Sequence, residues 1–172
     1  MRRTANRLIV VIFGAFIAVF VVPEWPVIPV FGATPADWNP GSFWSEPWGK
    51  SGVHKGIDIF APKGTAIVAP TYGLVVFRGS IPLGGKVIAI LGPKLRLHYF
   101  AHLESISVSP GFPVRTGSVI GQVGDSGNAR GKPPHLHYAV VSLIPYPWRV
   151  DISSQGWKKM FFMDPDAWLR AT

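Results

Sequence analysis

The stretch "HLHYAVVSL", residues 135–143, is the most informative about the fold, because this apolar run contains two of the five histidines. In a β-strand, side chains two residues apart lie on the same face, about 6.6 Å apart. His135 and His137 would then share one face, and Leu136 and Tyr138 the other. The pattern predicts a strand with a histidine pair on one side. A hydrogen-bonded pair in the protein core is the structural alternative.

Similar short runs continue in the sequence from residue 53 onward, separated by Gly or Pro turns. They are "GIDIFAP", "TAIVAP", "LVVFRG", "KVIAILG", "RLHYFAHL", "SISVSPG" and "SVIGQVG". This spacing is typical of an all-β sandwich or barrel. A helical pattern is limited to "PDAWLR" near the C-terminus, which predicts a last turn of helix. We therefore expect an all-β domain.

The N-terminal segment has a different character. Leu8 to Val22 carries no polar side chain and follows Arg2, Arg3 and Arg7. A basic start before an apolar stretch indicates a signal peptide or a signal anchor. Small residues suited to cleavage are poorly placed near "VFGA", so we predict an uncleaved transmembrane helix. By the positive-inside rule, the rest of the chain would be extracytoplasmic, on the periplasmic or cell-surface side of the cytoplasmic membrane.

The chain is predicted to have three parts. Residues 1–30 form the N-terminal membrane anchor or signal segment, residues 31–50 an irregular linker, and residues 51–172 the folded domain. The linker is rich in Pro, Gly and Trp. Its aromatic residues are too apolar for a free tether, so we expect part of it to pack on the domain.

Composition excludes several functions. The chain contains no cysteine, so disulfides and thiolate metal sites are excluded. The formal net charge is +8, but the cations are scattered, which argues against a nucleic-acid partner. A modest positive field suits an anionic polymer such as a bacterial cell wall, although ordinary solubility explains it equally well.

Candidate chemical residues fall in three stretches. "HKGID" supplies His54 and Asp58, two good zinc ligand types, on a turn that leads into a strand with Asp58 facing away from the core. On its own, this spacing is a weak signal. "RLHYFAHL" would place His98, Phe100 and His102 on one strand face, with His98 at the surface near the start of the strand.

Together these stretches predict a catalytic zinc site, which needs three protein ligands and one open position. His54, Asp58 and one histidine of the 135/137 doublet would supply the ligands. His102 and the other histidine of the doublet would remain to act on the attacking water.

Residues 50–145 resemble the lysostaphin-type, LytM-like family of zinc endopeptidases that cut bacterial cell walls. The resemblance rests on "HKGIDIFAPKGTAIVA", "YFAHL", "GFPVRTGSVIGQVGDSG" and "PPHLHY". It implies a mostly antiparallel β fold with the site in a groove, and Zn²⁺ as cofactor. It also implies His54, Asp58 and His137 as metal ligands, with His102 and His135 as catalytic residues.

The reaction implied by the resemblance is hydrolysis of peptide cross-links in peptidoglycan, whose stem peptides would be the partner. The family's usual tyrosine before "AHL" is replaced by Phe100, with Tyr99 beside it. In the loop "GDSGNARGKPP", Asn128, Arg130 and Lys132 could contact stem-peptide carboxylates, with an ordinary solvated loop as the alternative. A protein activator is neither predicted nor excluded.

Two other functions remain open. A non-catalytic envelope regulator of the same fold would activate or bind cell-wall hydrolases, but the intact set of five residues argues against it. A swapped-hairpin carrier or adaptor module is suggested by "PGFPVRTGSVIGQVG". That alternative leaves the histidines without an explanation.

Overall fold

The computed structural model describes residues 23–170 of the chain. The predicted anchor helix falls largely on residues 1–22, which lie outside the described residues. Within the described part, no helix is both long enough and apolar enough to cross a bilayer. The elements are β1 (Ile57–Phe60), β2 (Ala66–Val68), β3 (Gly73–Ile81), β4 (Gly85–Gly92), β5 (Arg96–Ile106), β6 (Pro113–Val114), β7 (Val119–Val123), β8 (His135–Ser142), β9 (Phe162–Met163) and α1 (Pro165–Arg170).

Short 3₁₀ helices connect or precede the strands. They lie at Pro35–Asp37, Pro40–Ser42, Gly49–Ser51, Pro93–Leu95, Gly127–Ala129, Pro147–Arg149 and Gly156–Met160. The α-helix α1 covers "PDAWLR", so the helical turn predicted there is confirmed.

The nine strands form one sheet in which every described pair is antiparallel. The main strand order is β1-β8-β5-β4-β3-β6, while β7 joins β2 to β5 and β9 pairs with β8. The prediction of a mostly antiparallel β fold is therefore confirmed.

The two strands that matter most for the site follow the predicted alternation. In β1, Ile57 and Ile59 are fully buried, and in β8 Leu136 and Tyr138 are fully buried. Burying each of these large apolar side chains contributes about 1.5–3 kcal/mol to folding, which fixes the register of both strands. The intervening Asp58, His135 and His137 are therefore directed to the opposite face.

Strand β5 does not keep this alternation, because it changes partner along its length. Its first part pairs with β8 as far as Ala101, and its last part pairs with β7 from Leu103 onward. His102 lies between them with a φ of 67°, in the left-handed region that non-glycine residues rarely adopt. This residue interrupts the two-residue period, so the side chains before and after it no longer share a simple pattern.

The prediction for the histidines of β5 was wrong in two respects, of which the interruption at His102 explains only the second. His98 is fully buried instead of lying at the surface, with Nδ1 2.8 Å from the Tyr138 hydroxyl. Phe100 is also fully buried in the core. His102 does not share their face, and it lines a groove on the other side of the sheet.

The segment before β1 packs on the sheet, as expected for its aromatic residues. Val30 forms a β-bridge with Ile67, and Trp38 is buried with its Nε1 donating to Asp166 Oδ1 at 2.7 Å. Further upstream, the buried Glu24 carboxylate pairs with Arg96. The described chain is thus held to the domain from its first residues.

Candidate active site

Three of the predicted site residues have potential metal-ligand atoms that lie close to one another. The His54 Nε2 atom lies 3.1 Å from Asp58 Oδ1 and 3.1 Å from His137 Nδ1. The His137 Nδ1 atom lies 2.8 Å from the same Asp58 oxygen. Such a cluster of imidazole and carboxylate donors could hold a metal ion.

The strand register and one glycine bring these residues together. Asp58 in β1 is the direct partner of His137 in β8, so their side chains are neighbours on the groove face. His54 lies on the turn just before β1. A Cβ atom on Gly56 would lie 2.4 Å from the Tyr138 carbonyl oxygen and 3.1 Å from His137 Cε1. Glycine therefore allows the turn to approach β8 closely enough for His54 to join the cluster.

Two contacts outside the cluster orient the His54 ring. Its Nδ1 atom lies 3.0 Å from the Ser42 carbonyl oxygen, which can only accept a hydrogen bond. The ring proton is therefore on Nδ1, and Nε2 presents its lone pair to Asp58 and His137. The indole of Trp48 stacks on the ring at a centroid distance of 3.9 Å and an interplanar angle of 18°.

Two further histidines line the groove beside the cluster, each oriented in the same way. His102 donates from Nδ1 to the Ser126 carbonyl at 2.9 Å, and His135 donates from Nδ1 to the Pro133 carbonyl at 2.8 Å. Both Nε2 atoms therefore keep a free lone pair. The two ring centroids are 5.0 Å apart.

These two rings lie directly against the ligand cluster. The His135 Nε2 atom is 3.9 Å from Asp58 Oδ2, and the His102 ring centroid is 6.0 Å from that of His137. The structure thus brings together all five residues singled out in the sequence. The shared face predicted for His135 and His137 is also confirmed, because both line the groove.

The orientation of His102 depends on Ser126, a residue of the loop "GDSGNARGKPP". The Ser126 hydroxyl donates to the Leu103 carbonyl at 2.8 Å and accepts from the Lys86 backbone N–H at 2.9 Å. The backbone N–H of His102 donates to the Gly84 carbonyl at 2.8 Å. These bonds hold the left-handed residue and its ring in place.

Burial and hydrogen bonding set the charge states of the site. Burial lowers the pKa of His102 to about 4, a shift only partly opposed by its hydrogen bond to Ser126. Burial also lowers the pKa of His137 despite the nearby Asp58. Although burial alone would raise the pKa of Asp58, its hydrogen bonds with His137 and His54 hold it well below the usual value. At neutral pH His102 and His137 are therefore neutral, and Asp58 is a carboxylate.

The cluster lies in a groove of about 740 Å³, within the usual size range of ligand sites. Tyr99 and Ala101 of β5 and Ala139 of β8 are among its lining residues, so Tyr99 faces the groove while Phe100 lies in the core. Trp48 also lines it and is 38% exposed. Apart from its place in an aromatic-rich segment, no sequence pattern pointed to Trp48 as a site residue.

Comparison with protein families matches residues 52–144, just over half of the chain, to Peptidase family M23. The L-Ala--D-Glu endopeptidase of Bacillus subtilis (strain 168) is 38% identical over 128 residues, which cover 64% of this chain and 39% of that protein. The peptidoglycan DD-endopeptidase ShyC of Vibrio cholerae is 33% identical over 90 residues, covering 52% and 20%. Each match spans less than half of the relative's own length.

Solved structures show the same fold. The catalytic domain of lysostaphin from Staphylococcus simulans superimposes with a TM-score of 0.62 at 26% identity, covering 76% of this chain and 90% of that domain. A zinc containing peptidase from Vibrio cholerae gives a TM-score of 0.53 at 26% identity, covering 67% and 35%. The described chain is therefore similar in architecture to peptidases of this kind.

Proposed function

The chain belongs to peptidase family M23, and on this basis we propose that it is a zinc-dependent endopeptidase that hydrolyses peptide cross-links in bacterial peptidoglycan. One observation carries the proposal: three ligand atoms converge beside two histidines with free Nε2 lone pairs, all in one groove. The named activities of the two relatives, an L-Ala--D-Glu endopeptidase and a peptidoglycan DD-endopeptidase, support the same substrate.

The donor set fits zinc. Tetrahedral zinc with nitrogen and oxygen ligands at 2.0–2.1 Å requires ligand atoms about 3.3 Å from one another. The three separations among His54, Asp58 and His137 are 2.8–3.1 Å. The lone pair of His54 Nε2 faces a carboxylate oxygen, an arrangement that a cation between them would stabilise. Two histidines and one aspartate leave a fourth position open, as catalytic zinc sites do.

We assign complementary roles to the two remaining histidines. When bound, zinc would lower the pKa of a water and polarise the scissile carbonyl. One of the imidazoles of His102 and His135 accepts the proton of the attacking water through its free Nε2 and later delivers it to the leaving amine. The other would stabilise the tetrahedral oxyanion by donating from Nε2, for which that ring must take up a second proton from solvent when substrate binds. Their carbonyl partners keep both rings aimed at the groove.

We propose the same division of the chain that the sequence predicts. Residues 1–30 would anchor the protein in the cytoplasmic membrane or serve as a signal segment, residues 31–50 link, and residues 51–172 form the peptidase domain. Within the first part, the apolar run Leu8 to Val22 after three arginines would be the membrane segment, since Glu24 and Val30 already pack on the domain. The domain would then act outside the cytoplasm, where peptidoglycan is located.

The test is product analysis of purified peptidoglycan incubated with the full chain, with the zinc content measured in the same sample. We expect new muropeptides that disappear with a chelator and are absent for His135→Ala and His102→Ala, both of which retain zinc. Near-wild-type activity of both zinc-loaded variants would refute the assigned roles. Stoichiometric zinc without products from the wild-type chain would favour a non-catalytic envelope regulator.

A further inference from the structure

The groove is lined by three lysines whose charges are not neutralised. Lys50, Lys55 and Lys132 line it, and Asp58 of the ligand cluster is the only acidic residue among the described lining residues. None of the three lysines has a carboxylate within 4.0 Å in the described part of the chain. The Lys55 Nζ atom donates only to backbone carbonyl oxygens, and the nearest of these, the Ser51 carbonyl oxygen, is 2.9 Å away.

Lysines elsewhere on the domain are arranged differently. Lys63 pairs with Glu104 and Asp125 at 3.0 Å each, Lys94 lies 3.6 Å from Glu24, and Lys159 pairs with Asp151. Surface carboxylates are thus available to this chain and are used outside the groove. Lys86 and Lys158 also lack a carboxylate, but their Nζ atoms donate to the Glu104 carbonyl at 2.6 Å and to Gln155 Oε1 at 2.7 Å. Among the described lysines, Lys50 and Lys132 of the groove have neither an ion pair nor a hydrogen bond from Nζ.

Lys55 and Lys132 lie toward opposite ends of the ligand cluster along β8, and Lys50 is on the Lys55 side, since it directly precedes Ser51, whose carbonyl accepts from Lys55 Nζ. Lys55 follows His54 on the turn that packs against Tyr138, while Lys132 precedes His135 at the other end of the histidine pair. His135 and Tyr138 are three residues apart on a strand, a separation of about 10 Å. An extended peptide lying in the groove would therefore have cations near residues on either side of the scissile bond.

We propose that this groove selects anionic peptides, with free carboxylates on both sides of the scissile bond, over neutral peptides such as glycine bridges. The inference rests on the proposed endopeptidase function and specifies its substrate class. Lys50 and Lys132 act as specificity residues through charge attraction, because neither has a competing partner in the described chain. A neutral peptide would leave these charges without compensation in the bound state.

The test compares two forms of one substrate: muropeptide dimers from purified peptidoglycan, and the same dimers with their carboxyl groups converted to carboxamides. Turnover is measured with the zinc-loaded full chain. Binding is measured separately, by fluorescence anisotropy of labelled dimers with zinc-loaded His135→Ala. The groove variants are Lys50→Gln and Lys132→Gln, and the matched control is Lys63→Gln outside the groove.

We expect amidation to weaken binding about tenfold and to raise KM similarly, since each exposed charge pair contributes up to about fivefold. The Lys50→Gln and Lys132→Gln double variant should lose most of this preference, and Lys63→Gln should keep it. Equal cleavage of both forms would overturn the proposal and leave the endopeptidase function standing. Preferential binding of the acidic form without turnover would uphold the proposal and refute the endopeptidase function.

Discussion

Acid should destabilise this fold through His98, a histidine that takes no part in the site. Its side chain is fully buried, with Nδ1 2.8 Å from the Tyr138 hydroxyl, Nε2 without a hydrogen-bond partner and the Trp168 ring 5.0 Å away. Burial, together with the nearby Arg96, lowers its pKa from 6.5 to about 3. The folded protein therefore keeps this ring neutral at a pH where the unfolded chain protonates it.

The size of the effect follows from the difference between the two pKa values. Between pH 6.5 and pH 3 the unfolded state binds one more proton at His98 than the folded state does. The free energy of unfolding then falls by about 1.4 kcal/mol for each unit that the pH decreases. Integrated from pH 7 to pH 5, the loss from this residue is about 2 kcal/mol.

The measurement compares guanidinium unfolding of the wild-type chain and His98→Gln at pH 7 and pH 5, monitored by tryptophan fluorescence with a chelator present. The variant lowers stability at both pH values because it disturbs the core. The stability advantage of the wild type over the variant should nevertheless shrink by about 2 kcal/mol at pH 5. The remaining histidines are present in both proteins, so their contributions to the pH dependence of the free energy of unfolding cancel in the comparison. An advantage that is the same at both pH values would refute the reasoning.

Three more predictions concern the ligand cluster and the packing around it. Asp58→Ala removes a ligand that is a neighbour of both histidine donors, so zinc affinity measured by competition with a chelator should fall more than about 100-fold. Glu24→Gln leaves Arg96 buried without its charged partner, and chemical denaturation should show a loss of about 3 kcal/mol; a loss under 0.5 kcal/mol would contradict a buried pair. Gly56→Ala should lower both stability and zinc affinity, because its Cβ would meet β8 backbone at 2.4 Å, whereas Gly41→Ala has only an ordinary contact at 3.5 Å and serves as the control.

Local strand geometry made several site residues predictable. The two-residue period of β1 and β8 correctly directed Asp58 away from the core and separated His135 and His137 from Leu136 and Tyr138. That assignment succeeded because each strand has one buried apolar face, and a one-residue shift would expose all of its core residues. The all-β class followed from the same repeating pattern of short runs and turns, whereas the antiparallel arrangement was implied by the family resemblance.

Longer-range features could not be obtained in this way. The backbone of His102 is left-handed where β5 leaves β8 for β7, and this change of partner is a property of the whole sheet. The period therefore failed at His102. His98 does share a face with Phe100, but it was wrongly expected at the surface because that face is the core. Nor does any local pattern indicate that the Ser42 and Ser126 carbonyls fix the ring protons of His54 and His102.

The amino-acid sequence alone was therefore enough to predict which side chains are available for chemistry, and on which face of a strand most of them lie. How these side chains come together depends on the tertiary structure: on the pairing of β1 with β8, on the close approach allowed by Gly56, and on the left-handed backbone that turns His102 into the groove. The reason is physical. Side-chain alternation is set by backbone geometry over a few residues, whereas distances of about 3 Å between ligand atoms depend on strand pairing and packing between segments far apart in the chain.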